Sequence, residues 1–299
     1  IPQYVTKVTE TLQNKGFEAY IVGGCVRDLI LGRTPKDWDV TTNAKPDQIQ
    51  ALFEKTMYEN RFGTVAVYLI NEGEITNDTE EEQGNKAKYN IVEVTTYRKE
   101  AGYSDNRHPD VIEFSETIEE DLERRDFTIN AMAYDISKGH LKDIYGGIRD
   151  IEDKVVRTVG DAGERFSEDA LRVLRAIRFS SELGFAVSYE TLEAISQNAN
   201  NLAGISHERI RDEFTKIIMS PEPMAGIGML VKLGLNKYVV PELEEGVGCE
   251  QKGEHIYDVF EHTLHALGHA AEKGLPLDIR LGALFHDIGK PRTRRPGHK

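Results

Sequence analysis

The sequence predicts an α+β protein in which a region of short strands and helices precedes a longer helical region. β-Branched, apolar runs of strand character lie at residues 20–22, 63–70, 90–96 and 142–147. After residue 148 such runs become rare, and apolar residues recur mostly at helical spacing. A chain of 299 residues is long enough to bury more than one core. We therefore expect three domains, at residues 1–147, 148–245 and 246–299.

The composition is typical of an ordinary soluble globular protein, with 39% hydrophobic and 29% charged residues. Its two cysteines, Cys25 and Cys249, are far apart and imply no disulfide framework, which fits a reducing cytoplasm. No apolar run approaches the length of a membrane span. The net charge of −14 argues against a protein that coats nucleic acid nonspecifically, but it leaves room for a local basic strip.

The first elements are a helix at residues 3–15, closed by Gly16, and the strand at 20–22. The strand runs into Gly23 and Gly24, and a double glycine lets the backbone approach a phosphate group closely. The N–H groups at the start of the next helix favour an anion. This turn is therefore a candidate cradle for a triphosphate.

Two carboxylates spaced by one residue, Asp37 and Asp39, follow the cradle. Residues two apart on a strand point to the same face, so we expect both to hold the same cation or cation pair. Hard oxygen ligands in so small a space suit Mg²⁺. An Asp-X-Asp motif alone is common in surface turns, and Gly-Gly alone is a turn. Their occurrence together within 19 residues favours a nucleotidyl-transfer site.

Further along the first domain, Pro46 suits the first position of a helix. A polar acidic run at 71–88 predicts solvated surface, and a long polar segment at 96–110 predicts a loop. A helix then opens at 115–117 and is expected to continue through residue 133. Among its charged residues are Arg124, Arg125 and Asp126. They fit either a salt-bridged surface or a clamp on a triphosphate, because arginine matches phosphate oxygens in a bidentate way.

The helix expected at residues 166–179, with Ser167 as N-cap, is the second informative stretch. A polar ridge runs along it, formed by Asp169, Arg172, Arg175 and Arg178. Such a ridge is commonly a solvated face. The alternative is base recognition, since cytosine and adenine both place an amino donor beside a ring-nitrogen acceptor. An aspartate and an arginine fit that pattern, whereas guanine and uracil present the opposite polarity.

The last segment is rich in histidine, with five of the nine histidines between residues 255 and 286. An apolar helix leads there into the adjacent pair His286 and Asp287, and His262 lies on a helix upstream. Histidine is the commonest ligand of transition metals, and an adjacent His-Asp pair can share one ion.

The first motif, GGCVRDLILGRTPKDWDV, resembles the signature of the class II tRNA nucleotidyltransferase and bacterial poly(A) polymerase family, a branch of the DNA polymerase beta superfamily. The likeness extends over ERRDFTINAMAYD, the stretch from DIYGG to RAIRF, and ERIRDEFTKI, so that residues 18–220 match in order. It implies a head made of a small mixed sheet with helices, followed by an all-helical neck and body. It also implies that Asp37 and Asp39 bind catalytic Mg²⁺. The residues implied to contact the nucleotide are Gly23, Gly24, Arg27, Arg125, Asp126, Asp169, Arg172, Arg175 and Arg178.

The resemblance implies an enzyme that adds CCA to the 3′ end of tRNA, without a template, from CTP and ATP. The loop at 96–110 resembles the flexible element associated with adding the terminal A. Its Asn106-Arg107-His108-Pro109 departs from the usual Arg-Arg-Pro form, which leaves addition of A alone or of poly(A) as the alternative. We expect no membrane association, and the sequence gives no indication of oligomeric state.

The histidine-rich segment resembles the start of a metal-dependent phosphohydrolase domain of the HD type, with a second, transition-metal ion implied at His262, His286 and Asp287. The final aspartate of that pattern is expected beyond Lys299, as in a longer protein. A further alternative is therefore an HD-type hydrolytic or regulatory protein whose head is vestigial. The intact pair Asp37 and Asp39 counts against it.

Overall fold

The structure is a computed structural model, which describes residues 1–58, 63–71, 89–101, 111–251 and 256–293. Contacts divide the chain between residues 153 and 154 into an N-terminal unit of strands and helices and a largely helical C-terminal unit. The predicted α+β class is thereby confirmed. The domain limits at residues 147 and 245 stay predictions.

The strands of the N-terminal unit are β1 (Ala19–Val22), β2 (Asp39–Thr42), β3 (Thr56–Tyr58), β4 (Thr64–Ile70), β5 (Tyr89–Thr96), β6 (Arg98–Ala101), β7 (Val111–Phe114), β8 (Met132–Asp135) and β9 (His140–Asp143). Seven of them form one mixed sheet in the order β3-β4-β5-β2-β1-β8-β9. Strand β2 runs parallel to β5 and antiparallel to β1, which in turn pairs antiparallel with β8. The sheet therefore places the turn after β1 beside the start of β2.

The helices of this unit are α1 (Gln3–Gln13), α2 (Gly24–Ile30), α3 (Pro46–Leu52), α4 (Ile118–Glu123) and α5 (Gly147–Glu152). Strand β1 is buried along its whole length. Its Tyr20 and Val22 pack in a core cluster with Tyr97 and with Ile118 and Leu122 of α4. This packing fixes α4 against the sheet.

Two predicted features of this unit turn out differently. The helix expected to continue through residue 133 ends at Glu123, and Met132 and Ala133 belong to strand β8. A short apolar run is compatible with either a helix or a strand, and the run at residues 132–133 is a strand because it pairs with β1. Residues 98–101 of the expected loop form strand β6, which pairs with β7. The rest of that loop at 102–110, and the acidic run at 72–88, lie outside the described residues.

The C-terminal unit contains the short parallel pair β10 (Val155–Val156) and β11 (Ala186–Val187) and the helices α6 (Ala162–Glu168), α7 (Leu171–Leu183), α8 (Tyr189–Asn198), α9 (His207–Met219), α10 (Pro223–Lys232), α11 (Val259–Glu272), α12 (Leu277–Phe285) and α13 (Lys290–Thr293). Helix α7 packs on α9 and α10, and α11 packs on α12. In the described part of the chain, no helix is both long and apolar enough to cross a membrane.

The single helix predicted at residues 166–179, with Ser167 as its N-cap, is wrong. Ser167 lies inside α6, and its hydroxyl donates to the carbonyl of Glu164. The chain leaves the helical conformation at Asp169, whose backbone is extended, and α7 begins at Leu171. Oδ1 of Asp169 accepts a hydrogen bond from the N–H of Leu171 at 3.0 Å. The break therefore places Asp169 and Arg172 at the start of a helix rather than along its side.

Candidate functional site

The turn after β1 brings backbone close to two charged side chains. Gly23 has φ +83° and ψ −137°, a conformation that side-chain-bearing residues rarely adopt. A β-carbon there would lie 3.1 Å from Nη1 of Arg125 and 3.8 Å from Oδ2 of Asp39. Both charged groups thus reach within 4 Å of one point at the turn. Glycine keeps that space open.

The predicted acidic pair lies at the start of β2. The expectation that both lie on one strand is wrong for Asp37, which is exposed in a bend, whereas Asp39 is the first residue of the strand and is half-buried. Burial raises the pKa of Asp39, and the nearby charge of Asp37 raises it further, while Arg125 opposes both effects. A carboxylate whose charge raises the pKa of its neighbour is close enough to share a divalent cation with it.

Arg27, on α2, is buried and held by polar partners. Its guanidinium donates from Nε and Nη2 to Asp28 and from Nη1 to Oδ1 of Asn130, at 2.7–2.9 Å. Asn130 in turn donates to Oδ1 of Asp126 at 3.3 Å. The structure therefore connects the predicted residues Arg27 and Asp126 through Asn130, and Gly24 lies against the same guanidinium.

Glu93 on β5 is an acidic residue that the sequence analysis missed. It is the register partner of Asp39 in the parallel pairing of β2 with β5. Register partners leave a sheet on the same face, so the two carboxylates lie on one side of the strands. Only the strand register reveals this, because 53 intervening residues separate the two in the sequence.

These residues suit an anion held with a divalent cation. Nε of Arg125 is buried, and it has no hydrogen-bond partner among the residues that the structure describes. A buried donor without a partner is costly, and a bound phosphate oxygen would satisfy it. The donor set of Asp37 and Asp39 consists of hard oxygens of the kind that Mg²⁺ prefers. The chemistry of the N-terminal unit therefore fits a nucleoside triphosphate with its metal.

The C-terminal unit contains the second group of predicted residues at the start of α7. Oδ2 of Asp169 accepts from Nη2 of Arg209 on α9 at 2.9 Å. Nη1 of Arg172 donates to the carbonyl of Arg165 at 3.2 Å and to a carboxylate oxygen of Glu168. Asp169 and Arg172 are thus close neighbours whose polar groups have partners within the protein. The sequence analysis did not predict these partners, because Arg165 and Glu168 lie on α6 and Arg209 lies on α9, and contacts between separate helices depend on the fold.

The other two arginines of the ridge differ from Arg172. Arg178 is 8% exposed, and its Nε lies 3.2 Å from Oε2 of Glu213, which is 3% exposed. The two atoms are not aligned for a hydrogen bond, so the contact is a buried ion pair. The guanidinium carbon of Arg178 also lies 4.3 Å from the ring centroid of Phe179. The guanidinium carbon of Arg175 lies 5.4 Å from the same centroid. These contacts favour a structural role for Arg178.

The histidine-rich segment brings three predicted ligands together. Ligand atoms of His262, His286 and Asp287 all lie within 4.8 Å of one another, and the Nε2 atoms of the two histidines are 3.1 Å apart. Nδ1 of His286 donates to the carbonyl of Ala283 at 2.8 Å, so that in the neutral ring Nε2 is the nitrogen that can bind a metal. His255, the first histidine of the segment, lies outside the described residues.

Asp287 is held in its ionised form. Partial burial alone would raise its pKa, but a hydrogen bond from Lys290 and the neighbouring histidines lower it below the usual value. Nζ of Lys290 lies 2.7 Å from Oδ2 of Asp287. An ionised carboxylate beside two imidazole nitrogens is a donor set for a divalent transition metal.

A mixed sheet that brings a glycine turn, an aspartate and an arginine to one point is the arrangement expected of the head of a nucleotidyltransferase. Family comparisons agree. The family described as the poly A polymerase head domain matches residues 19–157. The family described as the probable RNA and SrmB-binding site of polymerase A matches residues 184–246. The chain belongs to the CCA-adding enzyme family, as the following relatives show.

The chain is 42% identical over 238 residues to a CCA-adding enzyme of Lactiplantibacillus plantarum, covering 79% of this chain and 54% of the relative. It is 41% identical over 245 residues to a CCA-adding enzyme of Geobacillus thermodenitrificans, covering 82% and 56%. The structure of the Bacillus stearothermophilus CCA-adding enzyme in complex with CTP aligns with a TM-score of 0.68 at 34% identity, covering 97% of this chain and 71% of that one. The chain spans about half the length of the curated relatives that it matches.

Proposed function

We propose that this chain adds C and A to the 3′ end of tRNA without a template, using CTP and ATP and releasing pyrophosphate. The observation that carries the proposal is the meeting of Gly23, Arg125 and Asp39 at one point of the N-terminal unit. Membership of the CCA-adding enzyme family supports the substrates. Action on tRNA also fits a cytoplasmic protein.

In this proposal, the N-terminal unit positions the triphosphate and the attacking 3′-hydroxyl for in-line displacement at the α-phosphorus. Mg²⁺ held by Asp37 and Asp39 would supply charge neutralisation and a lowered pKa of the 3′-hydroxyl. Gly23 and Gly24 admit the phosphates to the backbone, and Arg125 donates to their oxygens. Arg27 and Asp126 are connected through Asn130 by hydrogen bonds, which hold these polar side chains in place. Such a site acts mainly by positioning and by stabilising charge.

The base would be selected by Asp169 and Arg172. The carboxylate accepts from the exocyclic amino group, and the guanidinium donates to the adjacent ring nitrogen, a pair of contacts common to cytosine and adenine. Guanine and uracil would leave these groups unpaired. Arg175 is the ridge residue better suited than Arg178 to face a phosphate, because Arg178 pairs with the buried Glu213. The contacts of Asp169 and Arg172 support this assignment, since partners from α6 and α9 orient both groups.

The test uses tRNA transcripts that end before the first, second or third nucleotide of CCA, each incubated with one labelled nucleotide. The wild-type chain is expected to add C, C and then A. We expect Asp39→Ala to abolish incorporation without loss of fold, while Asp47→Ala, an exposed aspartate on α3, stays like the wild type. Incorporation of A alone, or of long A tails, would replace CCA addition by the A-adding or poly(A) polymerase alternative. Wild-type activity in Asp39→Ala would overturn the metal assignment.

A second proposal concerns the histidine cluster. We infer that His262, His286 and Asp287 bind one divalent transition-metal ion, as their convergence supports. Titration calorimetry with Mn²⁺, Ni²⁺ and Zn²⁺ should show one site that His262→Ala weakens at least tenfold. His269→Ala is the matched control, because His269 lies on the same helix with its side chain 66% exposed. Equal binding by the two variants would refute the site. A metal-dependent phosphatase activity in wild type that persists in Asp39→Ala would support the HD-type alternative.

A further inference from the structure

Asp121 on α4 is a fully buried carboxylate next to the candidate triphosphate site. Its side chain is 0% exposed. Burial alone would raise its pKa, but the charges and hydrogen bonds of Arg124 and Arg125 lower it below the usual value. An ionised carboxylate persists in a protein interior only when it is paired and hydrogen-bonded. The two arginines therefore account for an ionised carboxylate at this buried position.

The two oxygens of Asp121 have different partners. Oδ1 accepts from Nε and Nη2 of Arg124 at 3.0 and 2.7 Å. Oδ2 accepts from Nη2 of Arg125 at 3.2 Å. The hydroxyl of Thr41 also lies 3.2 Å from Oδ2, and its proton serves either this oxygen or the carbonyl of Thr95. One carboxylate thus connects two neighbouring arginines with strand β2.

The two terminal nitrogens of the Arg125 guanidinium have different surroundings. Nη2 is bound to Asp121, whereas Nη1 is the atom that lies closest to Gly23, near Oδ2 of Asp39. Thr41 follows Asp39 by two residues on β2, so both side chains leave the strand on the same face. The carboxylate that holds Arg125 is therefore tied to the strand that begins at Asp39.

Without such a partner, Arg125 would be drawn to the carboxylate of Asp39, with which it already interacts. A guanidinium paired with that carboxylate would compete with a divalent cation for the same oxygens. The carboxylate of Asp121 offsets this attraction from the opposite side. It thereby keeps Arg125 available to an anion.

We propose that Asp121 is a positioning residue that holds the Arg125 guanidinium beside Gly23, where it binds the triphosphate of either nucleotide without displacing the divalent cation. This inference rests on the proposed nucleotidyl transfer. It predicts an effect common to CTP and ATP, because the triphosphate and not the base is the group that Arg125 contacts.

The experiment measures single-nucleotide addition with Asp121→Asn at varied nucleotide and Mg²⁺ concentrations. The KM for CTP and for ATP is expected to rise about tenfold with a smaller change in kcat, and half-activation should need several-fold more Mg²⁺. Asp135→Asn is the control, because Asp135 is 2% exposed in the same unit and contacts Gln13, Ser137 and Lys138 instead. It should lower the melting temperature without changing either KM.

A double-mutant cycle separates positioning from general support of the fold. Arg125→Met should raise KM at least as much as Asp121→Asn, and the double variant should be no worse than Arg125→Met alone. Additive effects, or an unchanged KM in folded Asp121→Asn, would overturn the inference. If Asp121→Asn does not fold, Thr41→Val takes its place, with a KM rise of two- to threefold expected and an unchanged KM counting against the inference. A wild-type chain that adds no nucleotide would refute the proposed function instead.

Discussion

Arg280 on α12 provides a quantitative test of how the histidine-rich helices attach to the rest of the C-terminal unit. Its side chain is 5% exposed, and within the described residues its guanidinium donates to four backbone carbonyls. The acceptors are Ile218 and Ser220 at the end of α9, Ala271 near the end of α11, and Leu275. The last carbonyls of a helix have no partner within the helix, so one side chain caps two helices at once.

We expect Arg280→Met to destabilise the protein by about 3 kcal/mol. Three of the four hydrogen bonds are 2.9 Å long, and the fourth is 3.4 Å. A buried carbonyl left without a donor costs roughly 1–3 kcal/mol, and the lower figure applies because methionine fills the space and relieves the burial of a charge. For a unit of this size the change corresponds to a fall in melting temperature of about 6–12 °C.

The assay is urea unfolding followed by far-UV circular dichroism, with Arg292→Met as the control. Arg292 forms a bidentate ion pair with Glu245, but its side chain is 64% exposed. Solvent screens exposed pairs, which therefore contribute little to stability, so the control should stay close to the wild type. A loss below about 1 kcal/mol in Arg280→Met, or an equal loss in the control, would refute the reasoning.

Three further predictions concern other parts of the chain. Gly147→Ala should destabilise by about 2–4 kcal/mol in thermal melts, because a β-carbon there would overlap a buried backbone oxygen; Gly282→Ala, with open space around it, should not. Burial raises the pKa of Cys25 to about 11, so only about 0.1% of this thiol is ionised at pH 8. We expect a thiol reagent to modify Cys249 first, and to modify Cys25 only at higher pH or on unfolding. Equal rates of modification at pH 8 would contradict this. Arg209→Met should raise misincorporation of U and G several-fold in competition among the four nucleotides, because it removes an ion pair that orients the carboxylate proposed to read the base. Unchanged selectivity would speak against that role.

The sequence predicted those features that depend on neighbouring residues. The turn at Gly23 and the helix start at Pro46 follow from local conformational preference, and both occur. Strand β8 was missed because a short apolar run is compatible with helix or strand until its pairing with β1 is known.

The features that depend on distant residues could not be predicted in this way. Regular spacing places Arg172, Arg175 and Arg178 on one ridge, but only the fold shows that Arg178 faces Glu213. The position of Glu93 opposite Asp39 likewise requires the strand register. A break in a helix, such as the one at Asp169, is also invisible to a periodic pattern that continues across it.

The ion pair between Asp169 and Arg209 has a consequence for how a base would be chosen. The carboxylate is already held by donors from Arg209 and from the N–H of Leu171, and it has acceptor sites left for a further donor, so an arriving base meets an acceptor that is fixed in place. The correct base then gains little net attraction, since its hydrogen bonds to the protein replace those that it made to water. A wrong base gives up its hydrogen bonds to water without regaining them. Accuracy at such a site comes from penalising the misfit, which is compatible with weak binding and rapid turnover of the nucleotide.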